Sequence, residues 1–132
     1  LDANILYSAS RTGSLMEVFI LRLMREAECC TNLFAIEEAR RNLEANERDC
    51  LDNFQALMAR VLTVGEMAVL PQIALKEKDE PILAGAIGGR CSHLLTGDRR
   101  DFGRFFGKTI GGVKIVSPEM LADEIGLPRA QP

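Results

Sequence analysis

One stretch, from Asp79 to Phe102, constrains the fold more than any other part of the sequence. Pro81 suits the first turn of a helix, because the N–H groups of that turn have no intrahelical partner to lose. Apolar residues then recur at helical spacing as far as Gly88–Gly89, a pair that we expect to end the helix in a left-handed cap. Segment 92–96 is short and mostly apolar, which predicts a buried strand.

Acidic residues stand at the ends of these predicted elements. Asp98 and Asp101 follow the strand, and Asp79 precedes the helix. In open parallel sheets, the chemistry is placed just outside the carboxyl ends of the strands. Asp2 is likewise followed by apolar residues. A central strand normally precedes such an aspartate, and the sequence starts at Leu1 rather than at methionine, so we expect a few strand residues upstream.

Helices and strands alternate along the rest of the sequence. Helices are predicted over residues 13–28, 34–43, 44–60 and 118–126, and strands over residues 29–33, 61–64 and 113–116. Segment 65–78 gives no firm element, and residues 128–132 read as a frayed tail. This alternation predicts one α/β domain over residues 1–132, a three-layer α/β/α sandwich with a central parallel sheet.

The predicted helix 13–28 is apolar on more than one face. A core stripe that includes Met16, Phe19 and Ile20 is widened by Leu15, Val18, Leu21 and Met24. Such a helix either lies inside the core or shares its outer flank with another subunit. The sequence leaves both alternatives open.

Composition excludes several classes of function. A net charge of −3 gives no general attraction to nucleic acid, so RNA binding would need a local basic patch or a bound cation. The four cysteines form no CxxC pair and the only histidine is His93, which argues against a zinc site and suits a reducing cytoplasm. No run approaches the roughly 18 uninterrupted apolar residues of a membrane-spanning helix.

A cluster of carboxylates is the strongest functional signal. Two carboxylates ~4 Å apart repel by about 4 kcal/mol at an effective dielectric constant near 20, so a cluster needs protonation, a basic partner or a cation. Ligands that are all oxygen select Mg²⁺ or Mn²⁺, and these ions suit phosphodiester hydrolysis. The simpler alternative is that the acids are helix caps and surface charges. The five candidates are Asp2, Glu38, Asp79, Asp98 and Asp101.

Periodicity alone does not favour Glu38 over its neighbour. Glu37 is explained by an ion pair with Arg41 one helical turn later, and Glu38 by solvent or by a pair with the same arginine.

Four motifs, in order, resemble those of the PIN domain family. They are Asp2-Ala-Asn4, Glu38-Ala-Arg-Arg-Asn-Leu43, Lys78-Asp79-Glu-Pro, and Thr96-Gly-Asp98-Arg-Arg-Asp101. Each is weak alone, but together they span nearly the whole chain. The resemblance implies a central parallel sheet between helices, and endoribonuclease activity with Mg²⁺ or Mn²⁺, commonly as the toxin of a type II toxin–antitoxin pair.

The resemblance also assigns roles to single residues. Asp2, Glu38, Asp79 and Asp98 would be the catalytic metal site, with Asp101 as a further ligand, and Asn4 and Thr96 would support them by hydrogen bonds. Glu38 takes the role because it stands five residues before Leu43, as in the family motif. The implied partners are an RNA substrate, a second copy of the chain and an antitoxin protein, in the cytoplasm and without a membrane.

Rival interpretations remain at this point. A PIN fold without catalysis would bind RNA or protein, although such modules usually lack one or more of the acids. A haloacid-dehalogenase-like phosphatase also has an early and a late acidic motif, but here Asn4 replaces the proton-donating aspartate. The basic residues after Asp98 either contact RNA phosphates or form a solvated surface with ion pairs. They are Arg99, Arg100, Arg104 and Lys108.

Overall fold

A computed structural model describes residues 1–127, which form a mixed helical and stranded domain. The helices are α1 (Ala3–Ser10), α2 (Leu15–Glu26), α3 (Leu33–Asn46), α4 (Leu51–Met58), α5 (Glu80–Gly88), α6 (Arg99–Phe102) and α7 (Pro118–Ile125). The strands are β1 (Cys30–Thr31), β2 (Leu62–Thr63), β3 (His93–Leu95), β4 (Thr109–Ile110) and β5 (Val113–Val116). The predicted α/β class is confirmed. The predicted tail 128–132 lies outside the described residues.

The strands pair in two small sheets. β1 pairs with β2 in parallel, and β3 pairs with β5 in parallel, with β4 antiparallel on the far side of β5. These sheets do not show the single central parallel sheet that we predicted. The carboxyl ends of β1 and β3 nevertheless lead into the loops that carry Asn32 and Thr96, so the parallel pairs still direct polar side chains to strand ends.

The first two residues connect the two sheets. The amino group of Leu1 donates to the Cys30 carbonyl at 2.6 Å, and the Thr31 hydroxyl donates to the Leu1 carbonyl at 2.9 Å. The Asp2 N–H donates to the Leu95 carbonyl at 3.0 Å. Asp2 is therefore held beside the carboxyl end of β3.

Helix α1 packs into two apolar clusters. Leu6 belongs to a cluster with residues of α3, α5 and β5, whereas Ile5 belongs to a cluster with residues of α2, β5 and α7. Both side chains are at most 1% exposed. Because burial of a leucine or isoleucine side chain contributes about 1.5–3 kcal/mol, this packing fixes the position of the helix that Asp2 caps.

The predicted ends of the last helix are confirmed. Ser117 is the N-cap of α7, since its side chain accepts the Met120 N–H, and Gly126 ends the helix at φ +74°. Ser14 caps α2 in the same way through the Glu17 N–H, although that helix was predicted to begin at residue 13. The predicted helix 44–60 contains α4 but was placed to begin too early. Helix α3 continues to Asn46, and a short 3-10 turn at Arg48–Cys50 precedes α4.

The predicted left-handed cap at Gly88–Gly89 was also wrong. Gly89 has φ −80°, and it is Arg90 that adopts the left-handed conformation, at φ +56°. The Cys91 N–H closes the turn onto the Ala86 carbonyl at 3.0 Å. Gly88 instead allows a close approach, because a Cβ atom there would lie 2.5 Å from the Glu66 carbonyl oxygen.

Helix α2 has one buried and one exposed apolar flank. Phe19, Ile20 and Leu23 are buried, whereas Leu15, Val18 and Leu21 are 46%, 47% and 38% exposed. Met24 packs at the edge of the core. The internal core therefore accounts for only part of the apolar surface of this helix. None of the described helices is long and apolar enough to cross a bilayer.

Candidate metal centre

Asp2 is a buried carboxylate at the start of α1. One oxygen caps the helix by accepting the Ala3 N–H at 2.7 Å, and the other accepts the Thr96 hydroxyl at 2.7 Å. Only 4% of Asp2 is exposed, so burial raises the pKa of its carboxyl against the opposing effect of these two hydrogen bonds. Asp98 also raises that pKa, which places the two charges in one electrostatic cluster.

Asn4 and Thr96 connect the start of α1 to the end of β3. The Asn4 amide donates to Asp2 and to the Thr96 hydroxyl, both at 3.3 Å, and its oxygen accepts the Gly97 N–H at 2.8 Å. The Thr96 hydroxyl also accepts the Asp98 N–H at 3.1 Å. Each donor and acceptor of the two side chains is thus used to position the segment that carries Asp98.

Asp98 and Asp101 are brought together by the first turn of α6. Asp98 is the N-cap of this four-residue helix and accepts the Asp101 N–H at 3.0 Å. The i,i+3 spacing puts both carboxylates on the same side of the turn. Asp98 is half-buried, whereas the Asp101 side chain is only 5% exposed.

Asp79 completes a group of three carboxylates. Asp79, Asp98 and Asp101 each offer an oxygen within 4.8 Å of the other two, and this is the one such group of three or more potential ligands within residues 1–127. Asp79 precedes α5, but its side chain makes no capping hydrogen bond. Its Oδ2 atom is fully buried and has no hydrogen-bond partner, the only side-chain atom of this kind in the described part of the chain.

The two buried members of the group have opposite pKa shifts. Burial, together with the nearby Asp101, raises the pKa of Asp79 to about 7. The hydrogen bond from Lys76 is the main reason that the pKa of Asp101 falls to about 2. At neutral pH, Asp101 is therefore charged, while Asp79 is poised between its two protonation states.

Two lysines that sequence reasoning missed contact this group. Lys76 Nζ lies 2.9 Å from Asp101 Oδ1, and Lys78 Nζ lies 3.5 Å from Asp101 Oδ2. Both belong to segment 65–78, which has no readable periodicity. The sequence offered only their proximity to Asp79 as a signal, because residues 77–79 form a turn rather than an extended strand.

Glu38 lies outside the group of three carboxylates. It is half-buried on α3. The pKa of Lys78 is raised mainly by Asp79 and, to a smaller degree, by Asp101 and Glu38, so Glu38 acts on the same electrostatic neighbourhood. The predicted pair of Glu37 with Arg41 was wrong, since Glu37 instead pairs with Arg40 at 2.8 Å.

The predicted RNA-contacting residues are all exposed on or after α6. Arg99 lies 4.0 Å from Glu119, and Arg104 stacks over the Phe105 ring at 4.8 Å from its centroid. Arg100 and Lys108 are also exposed. The structure thus leaves this basic surface open to solvent beside the acidic group.

The residues present fit a hard divalent cation. All three ligand groups are carboxylates, which are the donors that Mg²⁺ and Mn²⁺ prefer. The unpartnered Asp79 oxygen is the specific observation behind this fit, because a buried polar atom without a partner costs about 1–3 kcal/mol unless a ligand satisfies it.

No family model, no curated protein and no solved structure matches this chain.

Proposed function

We propose that this chain is a Mg²⁺- or Mn²⁺-dependent endoribonuclease, built as a PIN-like α/β/α sandwich and acting as the toxin of a type II toxin–antitoxin pair. The observation that carries the proposal is the buried Asp79 oxygen, which has no partner beside two further carboxylates. The sequence motifs support the same choice, because Asp2, Asp79 and Asp98 stand in them at the positions of metal-site acids.

The charge balance of the site favours a cation. Lys76 and Lys78 both pair with Asp101, and within residues 1–127 no ion pair to Asp79 or Asp98 is formed. Lys78 acts on Asp79 only at longer range. Two carboxylates ~4 Å apart repel by about 4 kcal/mol at an effective dielectric constant near 20. A divalent ion among the three oxygens relieves that repulsion. Asp2 and Glu38 are proposed to contribute charge, and Asn4 and Thr96 to hold the acids in position.

Each component then has a defined part in hydrolysis. A bound Mg²⁺ or Mn²⁺ supplies Lewis-acid polarisation of a phosphoryl oxygen and lowers the pKa of water. Asp79, whose pKa is about 7 without an ion, would release its proton when the ion binds and would then hold the ion as a carboxylate ligand. Asp98 is held by the hydrogen bonds at its own N–H and at Oδ1, which orient its carboxylate toward the other two acids.

RNA is the proposed substrate because exposed arginines stand close to the acids in the sequence. Arg99 and Arg100 follow Asp98 directly, and Arg104 comes three residues after Asp101. Arginine and lysine contacts to phosphate are independent of sequence and supply most of the affinity of such proteins for nucleic acid. We further propose a homodimer, an antitoxin protein as partner and a cytoplasmic location.

A binding module without catalysis is the second candidate. The observation that favours it is the pairing of Asp101 with two lysines, which neutralises the charge of one acid without a metal ion. For the nuclease, Asp→Asn changes at the acidic group should abolish RNA cleavage and leave RNA binding. For the binding module there should be no cleavage, and the same changes should leave binding unaltered.

The test is a cleavage assay on single-stranded and structured RNA. We expect cuts with Mg²⁺ or Mn²⁺ and none after EDTA. Asp79→Asn should abolish cleavage and still bind RNA, while the matched change Asp49→Asn, at an exposed acid, should leave cleavage intact. Full cleavage by the Asp2→Asn, Asp79→Asn double variant would overturn the mechanism.

A second test addresses the toxin role. Expression of the wild-type chain in bacteria should arrest growth, and Asp98→Asn should not, because the same acid is required for cleavage. If both chains arrest growth equally at equal expression, the arrest does not come from this site.

A further inference from the structure

Lys76 and Lys78 hold Asp101 from two sides, although neither lysine is buried. The ammonium groups contact different oxygens of the carboxylate, at 2.9 and 3.5 Å. The lysine side chains are 58% and 60% exposed, against 5% for Asp101. The charge of the buried Asp101 is thus balanced by two lysines whose side chains are mostly exposed to solvent.

The backbone beneath these lysines is fixed. The Lys76 carbonyl accepts the N–H groups of Asp79 at 2.9 Å and of Glu80 at 3.1 Å, which ties the segment to the start of α5. The four-carbon side chains can therefore move without displacing Asp79. Lysine suits such movement, because its charge sits at the end of a flexible chain and carries no fixed planar geometry.

We propose that Lys76 and Lys78 are exchangeable counter-ions, which neutralise Asp101 in the metal-free protein and are released to bind RNA phosphates when a divalent cation occupies the acidic group. This inference rests on the proposed function and adds a regulatory step to it. Metal binding and RNA binding become coupled events, and neither lysine touches the reacting atoms in the metal-free state.

Release follows from competition for the same oxygens. A cation held by Asp79, Asp98 and Asp101 needs an Asp101 oxygen that an ammonium group now contacts. The cation also repels both ammonium groups at short range. Each lysine holds Asp101 through one contact from a mostly exposed side chain, whereas an ion among the three carboxylates gains three charged ligands, so the ion displaces the lysines.

RNA phosphate is the anion that the released groups suit. The displaced ammonium groups remain attached within reach of Asp101 and so lie next to the cation. The chain as a whole has a net charge of −3, so RNA binding depends on local positive charge. Release of the two ammonium groups adds to the charge of the exposed arginines, and RNA binding is therefore stronger in the metal-loaded protein.

The first measurement is Mn²⁺ binding by calorimetry, without RNA, to the whole chain. The Lys76→Gln, Lys78→Gln double variant should bind Mn²⁺ about three- to tenfold more tightly than the wild type, because two competing ion pairs are gone. The matched control is Arg60→Gln, which removes one exposed positive charge in the turn after α4, and it should bind Mn²⁺ as the wild type does. Lys78→Gln alone keeps the shorter pair and serves if the double variant does not fold.

The second measurement is binding of a fluorescent ten-nucleotide strand of 2′-O-methyl phosphorothioate RNA, a hydrolysis-resistant probe. Mn²⁺ should increase the affinity of the wild type at least about fivefold over EDTA, and the double variant should lose most of that increase. Arg60→Gln should keep the increase.

The outcomes separate this inference from the proposed function. If the wild type binds no Mn²⁺, both fail. If the wild type binds Mn²⁺ and the double variant binds it equally or more weakly, the exchange alone is overturned. The exchange is also overturned if the Mn²⁺-dependent increase in RNA affinity persists in the double variant.

Discussion

The Thr96 hydroxyl donates a 2.7 Å hydrogen bond to the Asp2 carboxylate, and the two side chains are 0% and 4% exposed. This bond joins the end of β3 to the start of α1. It also stabilises the charged form of a carboxyl whose pKa burial raises. A threonine at the end of a strand thus determines both where an acid lies and how readily it ionises.

Thr96→Val should destabilise the protein. Valine has nearly the same shape, but it leaves Asp2, Asn4 and the Asp98 N–H without a shared partner, at a cost of about 1–3 kcal/mol. Urea denaturation measures this loss. Thr109→Val, at an exposed threonine, is the control and should change the unfolding free energy by less than about 0.5 kcal/mol. Equal midpoints for the two variants would show that the hydrogen bonds contribute nothing.

Asp79 should make the metal-free protein less stable as pH rises. Its pKa is about 7 in the folded state and 3.8 in the reference state, so the folded protein retains a proton that the unfolded chain loses first. The contribution of Asp79 to the free energy of unfolding is fully present below about pH 4 and is lost as pH rises to 7. Relative to Asp79→Asn, the wild type should lose roughly 2–4 kcal/mol across that range.

Urea titrations at several pH values, on protein dialysed free of metal, test this directly. Asp101 affects stability in a different pH range. Because its pKa is lowered, its contribution to the free energy of unfolding is present above about pH 4 and is lost as pH falls through 2. A constant difference between wild type and Asp79→Asn from pH 4 to 7 would contradict the raised pKa. Asp49→Asn, at an exposed acid, should show no such trend.

Divalent metal should raise the melting temperature. Binding at 100 times the dissociation constant adds about 2.7 kcal/mol to the native state, which corresponds to several degrees for a domain of this size. Asp98→Asn should raise the metal-free stability by relieving repulsion, and should reduce the increase produced by Mn²⁺ and Mg²⁺. Differential scanning fluorimetry measures both effects. A wild-type melting curve that metal does not move would count against the site.

Gly88→Ala should destabilise the protein even though alanine favours helices. The new Cβ atom would lie 2.5 Å from the Glu66 carbonyl oxygen, and a backbone atom cannot move away as a side chain can. Overpacking of this kind costs about 1–3 kcal/mol. Gly65→Ala meets nothing within 4 Å and is the control. Thermal or urea unfolding should separate the two, and an unchanged Gly88→Ala variant would show that the 66–67 backbone yields freely.

Helix α2 should form part of a homodimer interface. Its outer flank exposes Leu15, Val18 and Leu21 at i, i+3 and i+6 spacing, a continuous apolar strip. We expect a dimer by light scattering at tens of micromolar, and a monomer for Val18→Glu. The control is Val69→Glu, at a valine that is 95% exposed on a loop. A monomeric wild type at that concentration would reject the dimer.

Sequence reasoning succeeded where the cause is local. The cap at Ser117 and the end of α7 at Gly126 depend on residues within one turn. The approach of Asp98 to Asp101 likewise follows from their i,i+3 spacing.

Sequence reasoning failed where contacts between distant residues determine the local structure. The break between α3 and α4 was predicted at residue 44, but α3 continues to Asn46, because residues 44–50 are mostly polar and carry no apolar periodicity that marks the 3-10 turn. Gly88 was predicted as a cap because its contact with Glu66 is invisible in the sequence. Lys76 and Lys78 lie in a segment without periodicity, and they pair with an acid more than 20 positions away.

The acidic group draws on widely separated parts of the chain, and this affects when it can exist. Thr96 stands 94 positions after the Asp2 that it positions, and Asp101 comes later still. A nascent chain that has not yet emerged as far as Asp101 holds Asp2 and Asp79 without their partners. At about 5–20 residues per second, translation from Asp2 to Asp101 alone takes roughly 5–20 s. Throughout that interval the group of three carboxylates is incomplete, so any chemistry that depends on it is confined to chains translated beyond Asp101.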